Sequence, residues 1–292
     1  MHAYLPAIGF GQIKKKSQLQ QLLSSVQNFP DQVQKIRLDE ESSLVVYTKE
    51  VAPEIGLMIC GEEDMQGSFQ MEYYEPYINS NVCSSKAECS IEKESAREAY
   101  DGVCDDCRLG LNLIFSVNNF MEYRKYQALQ GFFPTVTDVC MSALCTQGKI
   151  LLPILKRPEA ARIAKKKEQG RQKLIEAARE GNQEAIDSLT IDDMNLTNKV
   201  GRLLNSCDIY TMVESSIMPC GMESDRYTII GEILNVVPLV NEISKEPLCQ
   251  MDVKCNNICI RVLVNRSGLM GEPMAGRRFK GDIWLQGVVN FV

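Results

Sequence analysis

Two runs of alternating residues meeting at Asn256-Asn257 constrain this chain more than any other feature. Over Leu248 to Cys255, the side chains of Cys249, Met251 and Val253 fall on one face, and Gln250, Asp252 and Lys254 on the other. Ile258, Ile260, Val262 and Val264 repeat the period on the far side. Two successive Asn residues favour the left-handed backbone of a two-residue hairpin turn. A period of two cannot be laid down as a helix without scattering its apolar face. The last seventy residues are therefore read as strands: Tyr227 to Val237, the hairpin, a Gly/Pro connector from Ser267 to Gly276, and Phe279 to Phe291.

This order of strand, hairpin, connector and strand is that of an OB-like five-stranded barrel. Four strands are legible. A fifth is expected from a bend of the first strand at Gly231 or a break of the last at Gly287.

The other residues give a mixed pattern. Leu19, Leu22, Leu23 and Val26 recur as one helical face, opened by Ser17 and Gln20 at capping-box spacing. Strands follow at Leu44–Lys49, Glu54–Cys60, Ser68–Glu75 and Leu111–Val117. Short helices are expected at Glu92–Tyr100 and Asn119–Leu129. A hairpin is expected from Val136–Cys145 and Lys149–Leu155 around Thr146-Gln-Gly148. Without a regular βαβ rhythm, the class is α+β. Residues 159–180 read as a solvated helix with a thin stripe at Ile163, Leu174 and Ile175. Beyond Gly181-Asn182 come a short helix at Glu184–Leu189, a second capping box at Thr190 and Asp193, and a staple between Leu189 and Met194. The expected division is an α+β domain over 1–155, a helical connector over 156–222 and an OB-like barrel over 223–292.

Composition narrows function mainly by exclusion. The net charge of −6 is not that of a molecule built throughout to embrace nucleic acid. A local excess of Lys and Arg over 156–180 is flanked by acidic stretches, and its mixture with Glu reads as a solvated face. No run approaches the length of a membrane helix, and Lys14, Lys15 and Lys16 follow rather than precede the first apolar residues, unlike a signal peptide. A cytoplasmic location without membrane attachment is expected, with the twelve Cys kept as thiols.

One His, His2, leaves no Ser-His-Asp triad and no multi-His metal site within the chain. Neither a phosphate-binding Gly-x-x-x-x-Gly-Lys loop nor a Gly-x-Ser-x-Gly elbow occurs. Gly9-Phe-Gly11-Gln-Ile-Lys14 has Lys where a dinucleotide loop needs its third Gly, and reads as a turn. Glu62-Glu63-Asp64 reads as a solvated turn. Cys104-Asp-Asp-Cys107 is a CxxC whose Asp neighbours oppose a thiolate, so a structural role is favoured over metal or redox chemistry. No cofactor is implied.

The candidate ligand-binding residues lie in the final strand. Alternation sends Phe279, Ile283, Leu285, Val289 and Phe291 one way, and Lys280, Asp282, Trp284 and Gln286 the other. Trp284, the sole Trp, thus stands among polar groups beside Arg277, Arg278 and Lys280. Such an aromatic beside cations can stack a base. It can equally pack under another element of the same chain, with the arginines paired to acidic residues. The favoured reading is a non-catalytic binding or scaffold protein whose barrel engages a protein partner. The alternatives are a single-strand nucleic-acid binder through Arg277, Arg278, Lys280, Trp284 and Gln286, and an enzyme of unrecognised class.

Three stretches carry a resemblance: Glu184-Ala-Ile-Asp-Ser-Leu-Thr190-Ile-Asp-Asp-Met194, Met218-Pro-Cys-Gly-Met-Glu-Ser-Asp-Arg-Tyr-Thr-Ile-Ile-Gly-Glu232, and Gly271-Glu-Pro273 with Gly276 through Gly287. They resemble an uncharacterised whole-chain family of clostridial, gut-dwelling Firmicutes. The chain departs from it in Cys220-Gly221, where the family has Tyr-Gly, and in Asp225-Arg-Tyr227, where it has Asp-Gln-Tyr. The resemblance implies an intracellular bacterial protein and transfers no activity.

Overall fold

The computed structural model describes residues 1–154, 170–191, 213–221 and 224–292, apart from positions 96, 107, 110, 131–133, 172 and 176. The basic stretch over 156–169, Asp193, Met194 and Cys107 lie outside the described residues. The architecture is mixed α and β.

A short 3-10 turn at Leu5–Ile8 precedes helix α1, Lys16–Asn28. The helix starts just ahead of Ser17, and Gln18 rather than Gln20 reaches back. Its Oε1 accepts the backbone N–H groups of Lys14 and Lys15, each at 3.1 Å, covering donors no helical carbonyl can reach. Strands β1 (Gln32–Arg37), β2 (Ser42–Ala52), β3 (Ile55–Asp64) and β4 (Phe69–Ile78) form an antiparallel sheet in chain order. Glu63 at its tip pairs with Lys35 at 2.8 Å, and Asp64 accepts the backbone of Gln66 and Ser68, so the acidic cluster ends a strand and closes a turn.

The second sheet contains β5 (Cys89–Lys93), β6 (Tyr100–Cys104), β7 (Leu113–Val117), β8 (Val136–Leu151), β9 (Ser216–Pro219), β10 (Arg226–Val240), β11 (Pro247–Cys255), β12 (Ile258–Asn265), β13 (Leu269–Met270) and β14 (Arg278–Phe291). Helix α2, Phe120–Gln130, follows β7. Strands β10, β11 and β12 form an antiparallel meander. Strand β14 pairs with β10, and β8 pairs with both β14 and β12, the latter in parallel. These pairings close a ring of five strands. Asn256 and Asn257 both have positive φ, 42° and 69°, as the two-residue turn requires.

Three sequence expectations are corrected. The fifth strand of the ring comes from neither a bend at Gly231 nor a break at Gly287; β10 and β14 run on, and β8 supplies it. Residues 136–151 are one strand rather than a hairpin around Thr146-Gln-Gly148. Gly148 is a point of close approach there: an added Cβ would lie 2.4 Å from the Phe279 ring. Finally, the described residues of 92–100 are not helical. They span the end of β5 and the start of β6, held by register pairs from Cys89–Cys104 to Lys93–Tyr100.

Two cores result. Phe279, Ile283, Leu285 and Val289 of β14 pack with Met141, Met251 and Val262 inside the ring, and this core continues to Val46, Met58 and Phe120. A second core joins the 3-10 turn and α1 to Leu57 and Ile59 of β3, and to Leu144, Leu263 and Trp284 on the outside of the ring. Each of these buried apolar side chains contributes about 1.5–3 kcal/mol relative to an exposed one. Among the described residues, no helix is long and apolar enough to cross a membrane.

Candidate functional site

Alternation along β14 holds, but its two rows face two interiors. Trp284 is only 5% exposed. Its indole Nε1 donates to the Asp225 carboxylate. Its ring packs on His2 at 4.8 Å and Tyr4 at 5.5 Å between centroids. The N-terminal segment therefore covers the face on which a base would have stacked. Gln286 is fully buried, accepting from the Ile78 N–H at 3.1 Å and donating to the Pro76 carbonyl at 2.9 Å. Arg278 is buried as well and donates to the carbonyls of Leu152 and Val213. Arg277 donates to the Glu272 carbonyl at 2.8 Å. The structure thus separates the sequence-derived site. Trp284 goes to the second core, Gln286 to the backbone of Pro76 and Ile78, Arg278 and Arg277 to backbone carbonyls, and Lys280 to a groove near the start of the strand.

Ionisable groups gather around Trp284. His2 is depressed to about 4, first by burial and then by the charges of Arg97 and Arg226. Glu75 is buried and pairs with Arg97 at 2.5 Å. Burial still pushes its carboxyl upward against that guanidinium. Arg97 also holds Glu94 at 2.8 Å and lies 4.8 Å over the Tyr73 ring. Asp101 is pushed up to about 6, first by burial and then by Glu94 and Asp225. A carboxyl in that range can exchange a proton near neutrality. The arginine, however, is already engaged by two carboxylates and a ring, which makes this group of residues a polar seal between the N-terminus, β4 and β6.

Cys104 is buried, its thiol pushed up by desolvation, and it faces Cys89 across the β5–β6 pair. A reactive thiolate requires the reverse shift. Among the described residues no group of three or more His, Cys, Asp or Glu is placed to hold a metal ion.

A groove of about 730 Å³ lies where Gln147–Lys149, Ser267–Met270 and Lys280–Asp282 meet. Lys149 and Lys280 are register partners across β8 and β14. Asp282 accepts the Thr228 hydroxyl at 2.6 Å. The ladder slips between Gly281 and Ile283, a bulge that opens the wall. Met270, 65% exposed, lies on the rim, and Met218, 50% exposed, is the register partner of Thr228. Lys280 is the sequence candidate that belongs here. Lys149 carries no signal of its own, because its strand is buried on both faces just before it and shows no alternation, and the methionines carry no sequence signal of exposure.

Residues 5–287 match the family described as "Domain of unknown function, E. rectale Gene description (DUF3881)". This agrees with the uncharacterised whole-chain family that the three stretches resemble. No curated protein and no solved structure matches the chain.

Proposed function

The chain belongs to this family of unknown function, and from that premise we propose that it is a non-catalytic, cytoplasmic binding or scaffold protein that engages a protein partner through the groove at residues 147–149, 267–270 and 280–282. The observation that carries the reading is the groove itself, a bulged ring wall with two lysines flanked by exposed methionines. Methionine's flexible thioether adapts to varied apolar surfaces, and flanking cations favour a partner that presents carboxylates beside apolar side chains.

The ring is read as an OB-like barrel. Its support is the meander β10–β11–β12, the return of β14 onto β10, and a parallel strand beside β12. In this reading the final OB strand precedes the other four in the chain. The segments 1–155, 156–222 and 223–292 remain the proposed units, with residues 136–151 lent by the first to the barrel of the third. A single-strand nucleic-acid reading loses its stacking platform to His2 and Tyr4, and retains only the cations.

The test is affinity purification from native lysate with wild type and a Lys149→Glu/Met270→Asp variant, with and without nuclease. A protein retained by wild type through nuclease, and lost by an equally stable variant, is the expected result. Equal retention by both proteins contradicts the groove. Recovery of only nuclease-sensitive material favours nucleic acid instead.

A further inference from the structure

Carboxylates beside an exposed apolar side chain, the chemistry that fits the groove, are present on the chain itself. The hairpins β1–β2 and β3–β4 end in two neighbouring turns at one end of the four-stranded sheet. Asp39, Glu40, Glu41, Glu63 and Asp64 line a cleft between these turns, against Lys35 and Arg37. Met65, in the second turn, is 79% exposed. That turn is fixed from within. The Asp64 N–H donates to the Ser68 carbonyl and the Gly67 N–H to the Asp64 carbonyl, each at 3.1 Å. Asp64 Oδ1 accepts the N–H groups of Gln66 and Ser68 at 2.8 and 2.9 Å. Met65 therefore projects from a turn that is ordered before any partner arrives, which lowers the entropic cost of docking. Glu63 pairs with Lys35, but the exposed Glu40, Glu41 and Glu62 keep this end of the sheet negative.

The groove has the converse shape and sign. It is a hollow in the ring wall, with Lys149 and Lys280 against the single carboxylate of Asp282 in its lining and Met270 on its rim. Arg266 and Glu272 beside it cancel each other as an ion pair at 2.8 Å. At the groove β8 is paired with both β14 and β13, and β14 with both β8 and β10. No strand edge of that floor is open to a partner's backbone, so what docks must be held by side chains. A turn meets that condition, since it presents side chains and needs no edge. Two copies of the chain, each with a net charge of −6, repel at long range. At physiological ionic strength that repulsion is screened beyond about 8 Å, and the local signs decide.

We propose that the groove takes the turn at residues 64–68 of a second copy of this chain, with Met65 against Met270 and the carboxylates of the two turns facing Lys149 and Lys280. This rests on the groove reading above and names its partner. The contact is heterologous, the turn of one copy entering the groove of the next. A turn is a small contact, below the roughly 1,200 Å² of a stable interface, so the association is weak and depends on concentration.

The test is sedimentation velocity of the full chain over a concentration series. Wild type is expected to gain mass as concentration rises. Lys149→Glu in the groove, and Glu41→Lys/Met65→Lys in the turns, replace exposed side chains. Each variant should keep the wild-type Tm and weaken self-association by about tenfold or more, because like charges then meet. An equimolar mixture of the two variants should associate again, since the intact turns of the first fit the intact groove of the second. A wild type that stays monomeric throughout, a variant that associates as wild type does, or a mixture no heavier than its components would each overturn the proposal. The groove reading fails separately. A monomeric wild type that still retains a nuclease-resistant protein from lysate, lost by Lys149→Glu/Met270→Asp, would sink the second-copy partner alone.

Discussion

His2 and Asp101 sit in the same polar seal and titrate in opposite senses. The folded state holds His2 near 4, below its ordinary 6.5, so between those values the unfolded chain binds the extra proton. That term makes stability rise with pH through the window from about 4 to 6.5. Asp101 is held near 6, above its ordinary 3.8, so the folded state binds the extra proton there. Its term makes stability fall as pH rises from 3.8 to about 6. Two variants separate them. His2→Phe should gain stability relative to wild type progressively as pH drops from 6.5 towards 4. Asp101→Asn should gain it above about pH 6 and lose the advantage below 3.8. Urea unfolding of both variants and the wild type across this range checks the signs. A pH-independent difference for either would mean that residue is not buried as described. Neither shift is legible in sequence, since His2 is buried by docking on Tyr74 and Trp284 and Asp101 lies near Glu94 and Asp225 only in the folded chain.

At the scale of elements, the strongly alternating strands were read correctly and the glycine-marked ones were not. Cys249 to Val253 and Ile258 to Val262 have one buried face each, so a period of two is visible. Strand β8 is buried through its middle on both faces, from Val139 to Cys145. It therefore shows no alternation, and Gly148 took on the look of a turn. Strands β1 and β9 are largely exposed and short, and neither has an apolar row that marks it in the sequence. The distinction at Gly148 is measurable. On a hairpin tip, Gly148→Ala would be nearly neutral. Packed 2.4 Å from Phe279, the new methyl must displace a ring inside the core, for a cost of about 1–3 kcal/mol. Denaturant midpoints of the variant decide between them. A shift near zero would restore the hairpin.

Across the whole molecule, the two sheets meet where the sequence placed its candidate ligand site. The Gly271–Gly287 stretch was conspicuous for its Trp, cations and glycines. Composition gave no means of telling a surface platform from an internal joint, because both want an aromatic beside polar groups. The partners of Trp284 and Gln286 lie far away in the chain, at His2, Tyr4, Pro76 and Ile78. Gln286 is the clearest joint, tying the edge of β4 to β14. Gln286→Leu strips a buried N–H and a buried carbonyl of their partners, for about 1–3 kcal/mol per unsatisfied group. It should lower the unfolding midpoint without creating any affinity for oligonucleotides.

Because Trp284 is the sole Trp, its fluorescence reports on this joint alone. The most direct measurement is acrylamide quenching of the folded chain at neutral pH, with and without single-stranded oligonucleotide. A blue-shifted emission, quenching far below that of the urea-unfolded chain, and no change on adding oligonucleotide are expected of an indole held between Asp225, His2 and Tyr4. Quenching as efficient as in the unfolded chain, or a saturable change with oligonucleotide, would place Trp284 on the surface and contradict the account.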